Sequence, residues 1–205
     1  MPRLLLVRHG RTQWNAERRY QGQTDVPLDA IGRAQVRALG ERLADETLDA
    51  VFASTLGRAQ STAAAIMARH DLPIQPEPRL LEINVGAWEG LKQAEIEARY
   101  PEELAVWQED PVRHGPPGGE SVGDLVARIQ PLMNELVQRP DDETVLLASH
   151  GGTLSTLLAL ALGMAPRDRW RFLLDPASVS ELRLYERGGR LALLNDHWHT
   201  RHIGD

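Results

Sequence analysis

Two short apolar runs in this chain break off in the same way. Leu4 to Val7 runs directly into Arg8-His9-Gly10, and Val145 to Ala148 into Ser149-His150-Gly151-Gly152. A continuous apolar run of about four residues, closed by polar residues and glycine, is the pattern of a strand covered on both faces. Such strands need helices on either side, which restricts the fold to a layered α/β arrangement. Ala50 to Ala53 is a third run of this kind, ended by Ser54. Val179 to Tyr185 and Leu191 to Leu194, joined at Gly188-Gly189, have the form of a closing hairpin.

Helical periodicity fills the intervals. Val36, Leu39 and Leu43 make one stripe, and Ala59, Ala63, Ile66 and Met67 a second. A third runs from Val122 to Leu136, with Ser121 and Asp124 spaced as a capping box. Pro131 falls inside it and predicts a kink or two helices end to end. The fold class expected is a three-layer α/β sandwich, a mainly parallel sheet with helices on both faces.

At 205 residues the chain suits a single domain, 1–205, carrying a sizeable loop or subdomain. Its net charge of -6 gives no general attraction to nucleic acid or anionic membrane, so neither is an expected partner. With no cysteine, thiolate metal sites, disulfides and cysteine nucleophiles are excluded together. The apolar stretches Leu4 to Val7 and Leu154 to Leu162 are too short for a secretory core or a membrane span, and a cytoplasmic enzyme is the expectation.

In doubly wound sheets, ligands bind outside the carboxyl ends of the strands. The three runs deliver Arg8 and His9, then Ser54 with Arg58 one turn later, then Ser149 and His150. Two arginines and two histidines around one crevice form an anion site suited to phosphate or carboxylate, and the glycine after each histidine is expected to let a ligand approach the backbone. Simpler readings attach to the other candidates. His197, His199 and His202 are expected as solvated tail residues rather than a metal site, and His70 as a complement to a helix terminus. Trp14, Trp88 and Trp107 read as packing residues that can also wall a pocket.

The octapeptide Arg8-His9-Gly10-Arg11-Thr12-Gln13-Trp14-Asn15 resembles the signature of the histidine phosphatase, or phosphoglycerate mutase-like, superfamily. Supporting matches follow in order: Gln21-Gly22, Ser54 to Ala63 around Arg58, Glu82 before Gly86-Ala87-Trp88-Glu89-Gly90, Pro117 to Ser121, and Ser149 to Gly152. The departures, Arg11 and Ser61, lie away from the reacting groups. The resemblance implies His9 as a nucleophile forming a phosphohistidine, with Arg8, Arg58 and His150 on the phosphoryl oxygens and Glu82 as proton donor. It further implies Asn15, Gln21, Gly22 and the Gly151 amide at the substrate, with no cofactor and no metal. For Asn15, a local turn cap is the competing reading.

The expected activity is hydrolysis of a small phosphomonoester, the pattern being closest to broad-specificity, α-ribazole-phosphate and fructose-2,6-bisphosphate phosphatases. A cofactor-dependent phosphoglycerate mutase and a non-catalytic phosphate-binding regulator are the alternatives. Specificity is expected in a cap formed by an insertion at about 91–120, where acids outnumber the cations Lys92, Arg99 and Arg113. Assembly as a homodimer is left open.

Overall fold

The computed structural model describes residues 1–204. Six strands form one sheet: β1 (Arg3–Arg8), β2 (Ala50–Ala53), β3 (Ile74–Pro76), β4 (Thr144–Ser149), β5 (Val179–Tyr185) and β6 (Gly188–Asp196), in the order β3-β2-β4-β1-β5-β6. The first four are mutually parallel, and β5 runs antiparallel to both β1 and β6. Because successive strand residues face opposite ways, β1 and β4 feed two separate cores. Leu4, Leu6, Val145 and Leu147 pack on one face with α6 (Val122–Val137) and α7 (Gly151–Ala161). Leu5, Val7, Leu146 and Ala148 pack on the other with α2 (Ala30–Arg42) and α3 (Gly57–Met67). The expected three-layer sandwich is the fold observed, completed by a short helix α1 (Gln13–Ala16) and by α4 (Gln93–Arg99) and α5 (Pro101–Glu109).

Three local expectations need correction. Pro131 sits inside α6, which runs from Val122 to Val137 as one helix and not as two end to end. Pro131 and Ala127, whose carbonyl loses its helical donor, both lie on the exposed face, where water can satisfy that carbonyl. Gly188-Gly189 begins β6, and the chain reverses at Glu186-Arg187 instead. The backbone at Gly10 is approached closely by α2, not left open for a ligand: a Cβ there would lie 2.7 Å from Val36 Cγ1 and 2.8 Å from the Gly32 carbonyl oxygen.

Candidate active site

Strand register assembles the site. In the parallel pairing of β1 with β4, Arg8 stands opposite Ser149, so His9 and His150 emerge side by side with ring centroids 5.1 Å apart. Ala53 of β2 pairs with Ala148, which brings Ser54 and then Arg58, in the first turn of α3, to the same edge. His9, Arg58 and His150 are all buried.

Hydrogen bonds fix both imidazoles as particular tautomers. His9 Nδ1 lies 2.7 Å from the Gly10 carbonyl oxygen, which only accepts, so Nδ1 carries the proton and Nε2 keeps its lone pair. Burial, followed by the nearby charges of Arg58 and Arg8, holds the His9 pKa well below the ordinary histidine value. The ring is therefore neutral at neutral pH. His150 is held neutral too, first by burial and then by His9 and the arginines. Its Nδ1 accepts from Arg58 Nε at 3.2 Å, and its Nε2 donates to Ser54 Oγ at 2.8 Å. Both nitrogens expected to meet phosphoryl oxygens are thus engaged within the protein, and in this arrangement His150 orients Arg58.

Arg58 is anchored by its remaining donors, with Nη2 on the Gly22 carbonyl and Nη1 on the Thr24 carbonyl, both at 2.7 Å. Arg8 Nη1 donates to the Leu174 carbonyl at 2.5 Å, while the buried Arg8 Nε and Gln21 Nε2 have no protein partner. Gly151, the first residue of α7, lies against the Arg8 guanidinium. Asn15 serves as the cap its bland reading required: its Oδ1 accepts from the Thr12 amide at 3.1 Å. Its Nδ2 also reaches Gln21 Oε1 at 3.4 Å, so the cap and the pocket wall are one structure.

Glu82 accepts from the amides of Ile83 at 2.8 Å and of Gly152 and Thr153 at 3.0 Å each, at the positive end of α7. Its loop is clamped by Arg128, which donates to the carbonyls of Arg79, Leu81 and Glu82 and forms a bidentate pair with Glu120 at 2.9 Å.

Arg8, His9, Asn15, Gln21, Gly22, Arg58 and Glu82 line a cavity of about 340 Å³; His150 lies behind them without lining it, and Gly151 lines an adjoining cleft with Arg8 and Glu82. The outer wall of the cavity is apolar and aromatic: Tyr20, Ile83, Val85, Trp88, Trp107 and Pro116. Trp88 is wholly buried and meets Trp107 edge to face at 5.5 Å, which unites their packing and walling roles. Sequence reasoning missed Arg169, another lining residue, which belongs to the short 3₁₀ helix Pro166–Arg171. That stretch is too polar to have signalled burial.

The histidine tail differs from expectation at one position. His199 is half-buried because its Nε2 donates to the Ala177 carbonyl at 3.0 Å while Arg42 donates to Nδ1 at 3.2 Å. Among the described residues there is no cluster of three or more His, Asp or Glu able to hold a metal, and no helix long and apolar enough to cross a membrane.

The family model of the histidine phosphatase superfamily (branch 1) matches residues 4–197. Over 205 residues the chain is 33% identical to phosphoserine phosphatase 1 of Hydrogenobacter thermophilus, covering all of this chain and 96% of that protein. It is 35% identical over 190 residues to a probable phosphoglycerate mutase GpmB of Yersinia enterocolitica, covering 91% and 86% of the two chains. The crystal structure of the α-ribazole phosphatase from Shigella flexneri superposes with a TM-score of 0.87 at 31% identity, covering 95% of this chain and 96% of the other. The chain belongs to the histidine phosphatase superfamily, branch 1.

Proposed function

We propose that this protein hydrolyses a small phosphomonoester through a phosphohistidine on His9. The observation that carries the reading is the His9 tautomer: Nδ1–H is committed to the Gly10 carbonyl, leaving an unprotonated Nε2 on a ring that the nearby charges of Arg58 and Arg8 keep neutral. That nitrogen attacks phosphorus as the ester P–O bond breaks, and Glu82 supplies the proton to the departing oxygen. Glu82 then takes a proton from water, which attacks phosphorus, breaks the P–N bond and releases inorganic phosphate.

Charge on the equatorial oxygens is met by Arg8 and Arg58, which supply the stabilisation a metal gives in other phosphatases. Arg8 Nε and Gln21 Nε2, unpartnered and buried, are donors available to those oxygens. The Gly151 amide and Asn15 complete the cradle, and the Gly22 carbonyl acts by holding Arg58. His150 contributes through Arg58 and by excluding water beneath it.

We read residues 1–205 as one domain with 91–120 as the cap. The mutase alternative is disfavoured by charge placement. Of the cap residues, Trp107 and Pro116 reach the cavity, whereas Lys92, Arg99 and Arg113 do not, so the cap brings no cation to clamp a second phosphate.

The test is rapid quench with labelled substrate. The wild-type protein should yield an acid-labile, base-stable label at stoichiometry approaching one, and His9→Ala should yield none. A label that persists in His9→Ala would overturn the assignment.

A further inference from the structure

Four arginines line the central cavity, and three are bound to the protein. Arg8 donates to the Leu174 carbonyl, and Arg58 to the Gly22 and Thr24 carbonyls and to His150. Arg19 is paired with Glu17 and Glu95 and donates to the Gly90 carbonyl. Arg169 alone among them has neither a hydrogen bond nor an ion pair from its side chain. It is half-buried. Glu82 and Tyr20 are close enough to act on its charge, and the residue lines the central cavity and two clefts that share lining residues with it.

A half-buried guanidinium with no partner in the protein keeps its five donors free for water or for a ligand entering the cavity. Its position says what kind of ligand. Arg8 and His9 stand at the end of β1 and Arg58 in the first turn of α3, whereas Arg169 is contributed by the 3₁₀ helix that follows α7 and lines the cavity together with Trp107 of the aromatic wall. The alcohol portion of an ester whose phosphoryl group is held at His9 occupies the rest of this cavity, where Arg169 is the cation without a partner. Among the described residues Glu82 is the one acid lining the cavity, and the proposed chemistry already employs it. A second unpartnered donor, the buried Nε1–H of Trp88, belongs to a residue of the same wall.

We infer that Arg169 is a specificity residue that binds a carboxylate on the alcohol portion of the substrate, so the substrate is a phosphorylated hydroxy acid. A planar guanidinium meets a carboxylate through two parallel hydrogen bonds, and enclosure by Trp107 and Tyr20 strengthens the pair by keeping water out. The inference rests on the phosphomonoesterase reading, and its test separates the two.

3-Phosphoglycerate and glycerol 3-phosphate share the same phosphorylated carbon and differ at the far end, a carboxylate in one and a hydroxymethyl group in the other. With wild-type protein, kcat/KM should favour 3-phosphoglycerate, chiefly through KM. In Arg169→Met the ratio of the two kcat/KM values should fall by about tenfold to a hundredfold. Arg169→Lys should restore part of it, because the charge returns without the planar fork. Calorimetric binding of the same pair gives the second readout. Equal kcat/KM for the pair in the wild type, or a ratio unmoved in Arg169→Met, overturns the inference. A carboxylate preference in binding that disappears in Arg169→Met, with no phosphate released from any ester, sustains it and overturns the hydrolase reading instead.

Discussion

The floor and the outer wall of the cavity are built on different terms. On the floor, side chains stand at the ends of β1, β2 and β4, in the first turns of α3 and α7 or, for Glu82, in the loop against the start of α7, and backbone atoms hold them. His9 is set by its neighbour's carbonyl, Arg58 by two carbonyls, and Glu82 by three amides. The wall is made of side chains from the Tyr20 loop, the stretch from Ile83 to Trp88, α5, the 110–120 loop and the helix Pro166–Arg171, and its one cation without a protein partner among the described residues is Arg169. A floor fixed by backbone geometry suits a reaction whose charge distribution does not vary from one ester to another. A wall of exchangeable side chains suits the recognition of whatever alcohol the phosphate is attached to.

The strongest challenge to that contrast is Arg58→Lys. An ammonium on a flexible stem cannot reach the Gly22 and Thr24 carbonyls and His150 Nδ1 together while also facing a phosphoryl group. We expect kcat to fall by about 10³-fold for every phosphomonoester alike, the scale associated with a charge-stabilising arginine in phosphoryl transfer. A loss confined to certain alcohols, measured across a substrate panel, would move Arg58 from the floor to the wall.

Glu82→Gln should have a smaller and more selective effect. The amide can keep one oxygen facing the α7 amides, but its Nε2 meets a donor where the carboxylate offered an acceptor. Turnover of alkyl phosphates should drop about 10²- to 10⁴-fold, while aryl phosphates with activated leaving groups lose much less. Equal losses for both kinds of ester would make Glu82 a cap of α7 and nothing more.

The strand-end part of the floor was legible in the sequence because it is built from local signals, an apolar run, its break, and the residue at the break, whereas Glu82 lies in a loop and was reached through the family resemblance alone. β1, β2, β4 and the stripes of α2, α3 and α6 follow from periodicity for the same reason. The elements that escaped lack a local signal. β3 is three edge residues with Ile74 as its sole strong strand former, and α7 is buried all round, so it shows no amphipathic stripe. Arg169 escaped because Pro166–Arg171 carries four charged residues and reads as solvated surface, and only docking against α7 and the cavity encloses it. The bonding of both His150 nitrogens is likewise tertiary, since Arg58 and Ser54 are more than ninety residues away in the chain.

The mildest expected effect concerns stability, and it too divides floor from wall. His9 and His150 have folded-state pKa values well below the ordinary value of about 6.5. His199, away from the cavity, is lowered in the same direction by burial and then by Arg42. An unfolded chain protonates these rings as the pH drops past about 6.5, while the folded chain does not, so the unfolded state binds more protons and stability falls with falling pH. Their contribution is intact above pH 6.5 and is lost on the way down to the folded values. Each ring that stays neutral in the folded chain while the unfolded chain protonates adds to this slope, so the two floor histidines act in the same direction. The carboxylates held low by arginines, such as Glu46 through Arg3 and Asp196 through Arg42, add their losses only below the ordinary carboxylate range. Urea midpoints between pH 5 and 6.5, in phosphate-free buffer, therefore isolate the histidines. His150→Gln should make the slope shallower, and a surface change such as His202→Gln should leave the profile as it is. A wild-type midpoint that stays flat across this window would mean that the two imidazoles accept protons in the folded protein, and the neutral His9 on which the nucleophile assignment depends would fall with it.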